Sequence, residues 1–315
     1  MSDAENNAIS SLERVALEGI QEQRRARRWS IFFKIAFLAW GILFLVGFIG
    51  SIASQGKILT TSKEFTAVVD VKGVIMDGSD AGFTAVATAL KDAFDDERTK
   101  GVVLRINSPG GSAVQSAMIY DEVVRLKKLH KDIPVYAVIQ DVGASGGYFI
   151  AASADEIYSN RSSIVGSIGV RMDSYGVVEA AKKLGIESRL VTAGEHKAIL
   201  DPFQPLAEAE QQHLKKMLES THKEFIASVK AGRGDRLKEN PDTFSGLFWT
   251  GTDAQALGLV DGFMTTAQVA RELVKAEELV SFTREKSLLD KLSGKVGATL
   301  SQLLMSSKMT QGLQY

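Results

Sequence analysis

The sequence contains no cysteine, which excludes a disulfide framework, a thiolate nucleophile and a Cys-ligated zinc site. Its four histidines (His130, His196, His213 and His222) show no H-E-x-x-H or similar metal-binding spacing, so we expect no metal. The formal net charge of −1 gives no basis for nucleic-acid binding. A Walker loop and a G-x-G-x-x-G fingerprint are also missing from the sequence, and we expect no cofactor.

One segment, from Ile35 to Ala53, carries no charge over 19 residues. As a helix it would span about 28 Å, close to the thickness of a bilayer core. A basic cluster precedes it, formed by Arg24, Arg25, Arg27, Arg28 and Lys34. The positive-inside rule therefore predicts a cytoplasmic segment 1–34, a single transmembrane anchor 35–53 in the lipid bilayer, and a domain on the outer side.

Two other interpretations of this segment exist. The small-x-small triplet Ser51-Ile-Ala53 fits the cleavage site of a signal peptide. However, the polar region before the apolar segment is longer than the polar region at the start of a signal peptide. A buried core helix is disfavoured because the segment is apolar on every face and adjoins a basic cluster. The sequence thus favours a retained anchor.

After a linker at 54–64, strand-like and helix-like segments alternate through residues 65–283, which indicates βαβ units and a largely parallel sheet. Predicted elements include a helix at Ala113–Leu129, a strand at Val135–Ile139 and a strand at Arg189–Thr192. The last segment, 284–315, has an amphipathic stretch. It would either pack against a neighbouring subunit or lie in the active-site cleft as an autoinhibitory segment.

Ser145 lies in the glycine-rich stretch Asp141-Val-Gly-Ala-Ser-Gly-Gly-Tyr148, where a predicted strand meets a predicted helix. A serine there can act as a nucleophile, because free N–H groups at a helix start favour negative charge. The same stretch also fits a turn of small residues that lets a helix pack tightly on a sheet. A third interpretation is the G-x-S-x-G nucleophile elbow of α/β-hydrolases, which needs an acid and a histidine downstream.

Lys197 follows Ser145 by 52 residues, in Gly194-Glu-His-Lys-Ala198. A lysine can deprotonate a serine if burial lowers the lysine pKa. His196 is its direct neighbour and is the candidate base of a Ser-His-acid hydrolase. His213 and His222 belong to a charged predicted helix, and we expect both to be solvated.

Four ordered motifs resemble the signal peptide peptidase A family of serine proteases, also called protease IV. They are Asn107-Ser-Pro-Gly-Gly111, Gly143-Ala-Ser-Gly-Gly-Tyr148, Val165-Gly-Ser-Ile-Gly169 and His196-Lys197. The resemblance covers about Phe65 to Phe263. The anchor and length resemble the half-length, membrane-anchored bacterial members, which carry one copy of the domain.

The resemblance implies a crotonase-like/ClpP-like α/β fold and a Ser/Lys catalytic dyad. Ser145 would attack the peptide carbonyl, and Lys197 would be its general base. The amides of Gly111 and Gly146 would form the oxyanion hole, and the Ser167 hydroxyl would position the lysine.

The resemblance further implies a homo-oligomer, an octamer for half-length subunits, in which different subunits can contribute Ser145 and Lys197 to one site. It predicts an endopeptidase of the bacterial inner membrane that degrades signal peptide remnants, and misfolded exported proteins as a further substrate class. A different hypothesis is a crotonase-like membrane scaffold that binds peptides or a membrane protein without catalysis.

Overall fold

The computed structural model describes residues 25, 27–45, 47 and 63–283. Most of the predicted linker and the predicted tail 284–315 lie outside the described residues. The chain divides into two units, Met1–Ser62 and Lys63–Tyr315.

The first unit contains helix α1, Arg27–Leu45, which is 19 residues long with a mean hydropathy of 1.6. Its length and composition suffice to cross a membrane, and its side chains are exposed. The described helix begins before the predicted start at Ile35. The last six residues of the predicted span, 48–53, lie outside the described residues.

The second unit is built around an eight-stranded sheet. Its strands are β1 Phe65–Lys72, β2 Thr99–Ser108, β3 Val135–Ala144, β4 Glu156–Ser159, β5 Ile164–Gly166, β6 Phe248–Thr250, β7 Gly262–Phe263 and β8 Leu279–Ser281. The order β6-β5-β3-β2-β1-β8 is parallel except at β5–β6. This confirms the prediction of a largely parallel sheet.

The helices of this unit are α2 Phe83–Asp95, α3 Ala113–Leu129, α4 Gly146–Ala151, α5 Val178–Lys183, α6 Glu208–Arg233, α7 Gly251–Ala256 and α8 Thr266–Val269. A 3₁₀ turn, Gly234–Arg236, follows α6, and a π-helical turn, Ala270–Val274, follows α8. Helix α3 has the predicted bounds. Ser112 caps it, because its hydroxyl accepts the amide of Gln115 at 3.3 Å.

Strand β3 pairs with two strands in succession on one side. Its residues Tyr136–Val138 pair with β4, and Val142–Ala144 pair with β5. The strand is therefore longer than the predicted Val135–Ile139. Because β5 aligns with the end of β3, the segment after β5 lies beside the residue that follows β3, which is Ser145.

Both faces of the sheet are covered, which explains the almost continuous apolar runs in its strands. On β2, Val102 and Leu104 face the large core beneath α2, α3 and α4, whereas Val103 faces a smaller cluster on the other side. Each such fully buried side chain contributes about 1.5–3 kcal/mol to folding. This packing fixes the carboxyl ends of β2 and β3, where both glycine-rich motifs lie.

Candidate active site

Ser145 occupies a sharp turn between β3 and α4. Its φ of 52° and ψ of −125° are unusual for a residue with a side chain. Its amide donates to the carbonyl of Gly166 at 2.8 Å, and its carbonyl accepts the amide of Phe149 at 2.9 Å. Such strain persists only where the surroundings impose it, and it is concentrated at functional sites.

The Ser145 hydroxyl has no hydrogen-bond partner among the described residues, although the serine stands directly before a helix. It therefore does not cap α4, which is the usual task of a serine at this position. The side chain is half-buried and borders an open cavity. A hydroxyl in this setting is free to approach a ligand carbonyl.

The turn Pro109–Gly111 lies against Ser145 and is held from the other side by Ile75. The amide of Ile75 donates to the carbonyl of Gly110 at 2.9 Å, and the carbonyl of Ile75 accepts the amide of Ser112 at 2.7 Å. A Cβ on Gly111 would lie 2.0 Å from the Ile75 carbonyl oxygen, so only glycine fits there.

The amides of Gly111 and Gly146 have no hydrogen-bond partner within the described part of the chain. Both residues border the same cavity as Ser145. A pair of unpaired N–H groups beside a free hydroxyl is the arrangement that can hold the oxygen of a tetrahedral intermediate.

Ser167 borders this cavity as well. Its φ is 50°, and its amide donates to the carbonyl of Leu247 at 2.8 Å. The structure thus brings together four of the five predicted site residues: Ser145, Gly111, Gly146 and Ser167.

The cavity has a volume of about 780 Å³. Its walls come from the Pro109–Gly111 turn and the start of α3, from Ser145 and α4, from the segment 167–173, from α6, and from the loop at 245–246. Phe149 and Phe225 form an apolar floor, with their rings stacked at a centroid distance of 4.7 Å. The charged side chains that border it are Arg171 and Asp173, which pair with each other at 3.1 Å. The cavity can therefore accept an apolar side chain next to a reactive hydroxyl.

Lys197 does not border this cavity. It lies in an exposed turn, and its amide donates to the carbonyl of Gly194 at 3.2 Å. The predicted strand at Arg189–Thr192 is wrong, because this stretch is irregular and exposed. Without a neighbouring strand, the backbone N–H and C=O groups of this short segment have no inter-strand hydrogen bonds, so it does not form a strand. Within the described residues of one chain, the predicted Ser/Lys pair is not assembled.

The predicted alternative base, His196, is also outside the cavity. Its Nδ1 lies 3.6 Å from the Glu210 carboxylate, and the side chain is mostly exposed. The expectation that His222 is solvated is wrong. His222 is half-buried, borders the cavity, and places Nε2 3.0 Å from the carbonyl oxygen of Ile168.

Sequence reasoning missed the contribution of α6 to this site. Thr221, His222 and Phe225 reach the cavity from adjacent turns of this helix. Their i, i+1, i+4 spacing places them on one side of the helix, but spacing alone does not show that this side faces the cavity.

A buried network anchors α4 behind Ser145. The Tyr148 hydroxyl donates to the carbonyl of Leu259 at 2.8 Å, and burial raises the pKa of Tyr148, which therefore stays a neutral donor. Nearby, Arg233 binds the Asp261 carboxylate through two hydrogen bonds of 2.8 Å. These contacts fix the helix that begins at Gly146, beside the cavity.

Comparisons with known proteins place these features in a family. The model of peptidase family S49 matches residues 127–280, a stretch that includes Ser145, Ser167 and Lys197. A putative protease of Synechocystis is 32% identical over 202 residues, which cover 64% of this chain and 70% of that protein. A putative signal peptide peptidase of Enterococcus faecium is 30% identical over 223 residues, which cover 68% of this chain and 64% of that protein.

A protein of Brucella melitensis named Na(+)/H(+) antiporter NhaA is 46% identical over 200 residues, covering 62% of this chain and 27% of that protein. The chain spans less than two thirds of the Brucella and Enterococcus proteins. The comparisons confirm the family that the four motifs imply and, with it, the crotonase-like/ClpP-like α/β fold: this chain belongs to peptidase family S49, the family of signal peptide peptidase A.

Proposed function

We propose that this chain is a membrane-anchored serine endopeptidase that uses Ser145 as nucleophile and Lys197 as general base. The observation that carries the proposal is the Ser145 hydroxyl, which is held on a strained turn beside the amides of Gly111 and Gly146; none of the three groups has a hydrogen-bond partner among the described residues. The family match includes both Ser145 and Lys197.

The chemistry follows from these groups. The Ser145 Oγ attacks the peptide carbonyl carbon while its proton passes to the Lys197 amine. The amides of Gly111 and Gly146 hold the resulting oxyanion, and each such donor contributes about 3 kcal/mol to the transition state. Lys197 then returns the proton to the leaving amine. A water molecule, deprotonated by the same lysine, cleaves the acyl-enzyme and releases Ser145.

We further propose that a second copy of the chain supplies Lys197. The segment 172–207, which carries this lysine, exposes large apolar side chains. Among them Tyr175 is 82% exposed, Val191 93% and Leu184 75%. A lysine base must be desolvated, and docking of this segment on a neighbouring subunit would bury it beside the Ser145 cavity. A closed ring of such contacts gives the homo-oligomer expected for the family, an octamer for half-length chains.

The substrate and the location follow from the cavity and from α1. An apolar floor of Phe149 and Phe225 favours peptides with apolar side chains at the cleavage position. Helix α1 would anchor the chain in the bacterial inner membrane, with the N-terminus cytoplasmic and the peptidase domain outside. Signal peptide remnants are apolar peptides available at that place, and misfolded exported proteins are a second substrate class.

The test is hydrolysis of a fluorogenic peptide with a small apolar residue at the cleavage position. Ser145→Ala and Lys197→Ala should each abolish activity, whereas His196→Ala, one residue away from the lysine, should retain it. Activity in Lys197→Ala would refute the dyad, and loss in His196→Ala would favour a Ser-His-acid hydrolase. Failure of a fluorophosphonate to label Ser145 would favour a scaffold without catalysis.

A further inference from the structure

His222 is a cavity residue that the proposed chemistry does not use. It lies on α6 between Thr221 and Phe225, its ring is half-buried, and its Nε2 lies 3.0 Å from the Ile168 carbonyl oxygen. A carbonyl oxygen only accepts hydrogen bonds, so Nε2 carries the proton and donates it. This bond fixes the tautomer of the neutral ring and leaves the lone pair on Nδ1.

The Ile168 carbonyl belongs to a tight turn. Ser167 has a φ of 50°, and the amide of Gly169 donates to the carbonyl of Ser167 at 3.0 Å, only two residues back. Such backbone conformations cost about 1–3 kcal/mol each and need external contacts to persist. Among the described residues, two hydrogen bonds hold this turn from outside, in addition to the buried Ile168 side chain: the Ser167 amide donates to the Leu247 carbonyl, and His222 Nε2 donates to the Ile168 carbonyl.

The turn adjoins the nucleophile directly. The residue before Ser167 is Gly166, whose carbonyl accepts the Ser145 amide at 2.8 Å. A shift of this turn would therefore move both the Ser167 hydroxyl and the backbone that supports Ser145. Because a displacement of about 1 Å can lower a catalytic rate about 10²-fold, loss of the hydrogen bond from His222 would lower the rate through the Ser167 turn.

The ring is also poorly placed for general base catalysis. Its Nε2 is committed to Ile168, and within the described part of the chain no carboxylate binds its Nδ1. A Ser-His-acid relay needs one nitrogen facing the serine and the other facing an acid. The geometry favours a structural hydrogen bond over proton transfer.

We propose that His222 is a positioning residue of the Ser145 site, whose Nε2–H holds the Ile168 carbonyl and thereby fixes the Ser167 turn beside the nucleophile. This inference rests on the proposed peptidase function. It predicts that full activity needs a hydrogen-bond donor at this position.

Two substitutions whose side chains have the same shape test whether position 222 must donate a hydrogen bond to the Ile168 carbonyl. His222→Gln offers an N–H from an amide, whereas His222→Glu has the same shape but offers an ionised acceptor to the Ile168 carbonyl. We expect His222→Gln to keep most of the activity and the wild-type pH profile of kcat/KM. His222→Glu and His222→Phe should lower kcat about 10²-fold with little change in KM. His213→Phe, an exposed position on the same helix, should match the wild type.

Thermal unfolding of each variant establishes that it is folded, and the Gln/Glu comparison remains informative if the Phe variant is not. Wild-type kcat in His222→Glu overturns the inference. Equal loss in folded His222→Gln and His222→Glu also overturns it, because the imidazole itself would then be required. Lys197→Ala in the same assay tests the proposed function separately. If the Lys197→Ala variant were active, the dyad would be refuted, whatever the His222 variants show.

Discussion

Gly110 lies in van der Waals contact with the turn that carries Ser145. A Cβ placed on Gly110 would be 2.7 Å from the Cβ of Ser145 and 2.8 Å from the amide nitrogen of Gly146. Non-bonded carbon atoms are not found at such a separation, since the repulsion is steep below about 3.5 Å. Ser145, the proposed nucleophile, and the Gly146 amide beside it thus keep their positions only because residue 110 has no side chain.

Gly110→Ala should therefore lower peptidase activity by more than about 10²-fold, because the new methyl group displaces Ser145 and Gly146 from their positions. The protein should still fold. At a φ of 98°, alanine also strains the backbone by about 1–2 kcal/mol. The measurement is kcat/KM on the fluorogenic peptide, together with the free energy of unfolding from urea denaturation.

Gly73→Ala is the matched control for backbone strain alone. Gly73 has a φ of 86°, but a Cβ there would meet nothing within 4 Å. We expect a similar loss of stability and near wild-type activity. Equal loss of activity in both variants would contradict the role assigned to the close contact at Gly110.

The second prediction concerns the origin of Lys197. If the two dyad residues come from different subunits, co-expressed Ser145→Ala and Lys197→Ala chains should regain activity, although each alone is inactive. In random mixed assemblies about one quarter of the sites combine an intact Ser145 with an intact Lys197. Co-purification through two different tags shows that mixing has occurred. An inactive mixed assembly would place both residues of a site in one chain.

The third prediction concerns the cavity floor. Phe225→Leu removes one of two stacked rings and enlarges the cavity, at a stability cost of about 1–2 kcal/mol. Peptides with a larger apolar residue at the cleavage position should gain about tenfold in kcat/KM relative to small ones. Phe94→Leu is the control, because Phe94 is equally buried but does not border the cavity. If Phe225→Leu kept the wild-type preference between small and large residues at the cleavage position, the Phe225 ring would not determine specificity.

The sequence predicted the elements that depend on local patterns. The amphipathic pattern predicted the bounds of α3, to which the structure adds the Ser112 cap, and the start of α4 follows from the Ser145-Gly-Gly turn. The clustering of Gly111, Ser145 and Gly146 was also predictable, because parallel strands bring their carboxyl ends to one edge.

Features that depend on tertiary packing were not predictable. His222 has charged neighbours along α6, and only the packing of that helix on Phe149 brings its ring to the cavity. Likewise, no local rule shows that Lys197 lies outside the Ser145 cavity of its own chain. The segment 186–207 has apolar residues but no strand partner, so its β-like composition at Arg189–Thr192 predicted the wrong element.

The fourth prediction concerns the ion pair behind α4. Burial alone would raise the pKa of Asp261, but hydrogen bonds from Arg233 and from the Ile157 amide outweigh it, and the pKa lies below its usual range. Stability from this carboxylate is complete above the unfolded-state pKa of about 4 and is lost as the pH falls through the folded value.

Asp261→Asn leaves Arg233, which is 1% exposed, without its counter-charge and should cost about 3–5 kcal/mol at pH 7. Urea denaturation between pH 7 and pH 3 should show a weaker acid dependence in this variant, whereas Asp95→Asn, in an exposed pair with Lys91, should behave as the wild type. An acid dependence identical to that of the wild type in Asp261→Asn would contradict the assignment.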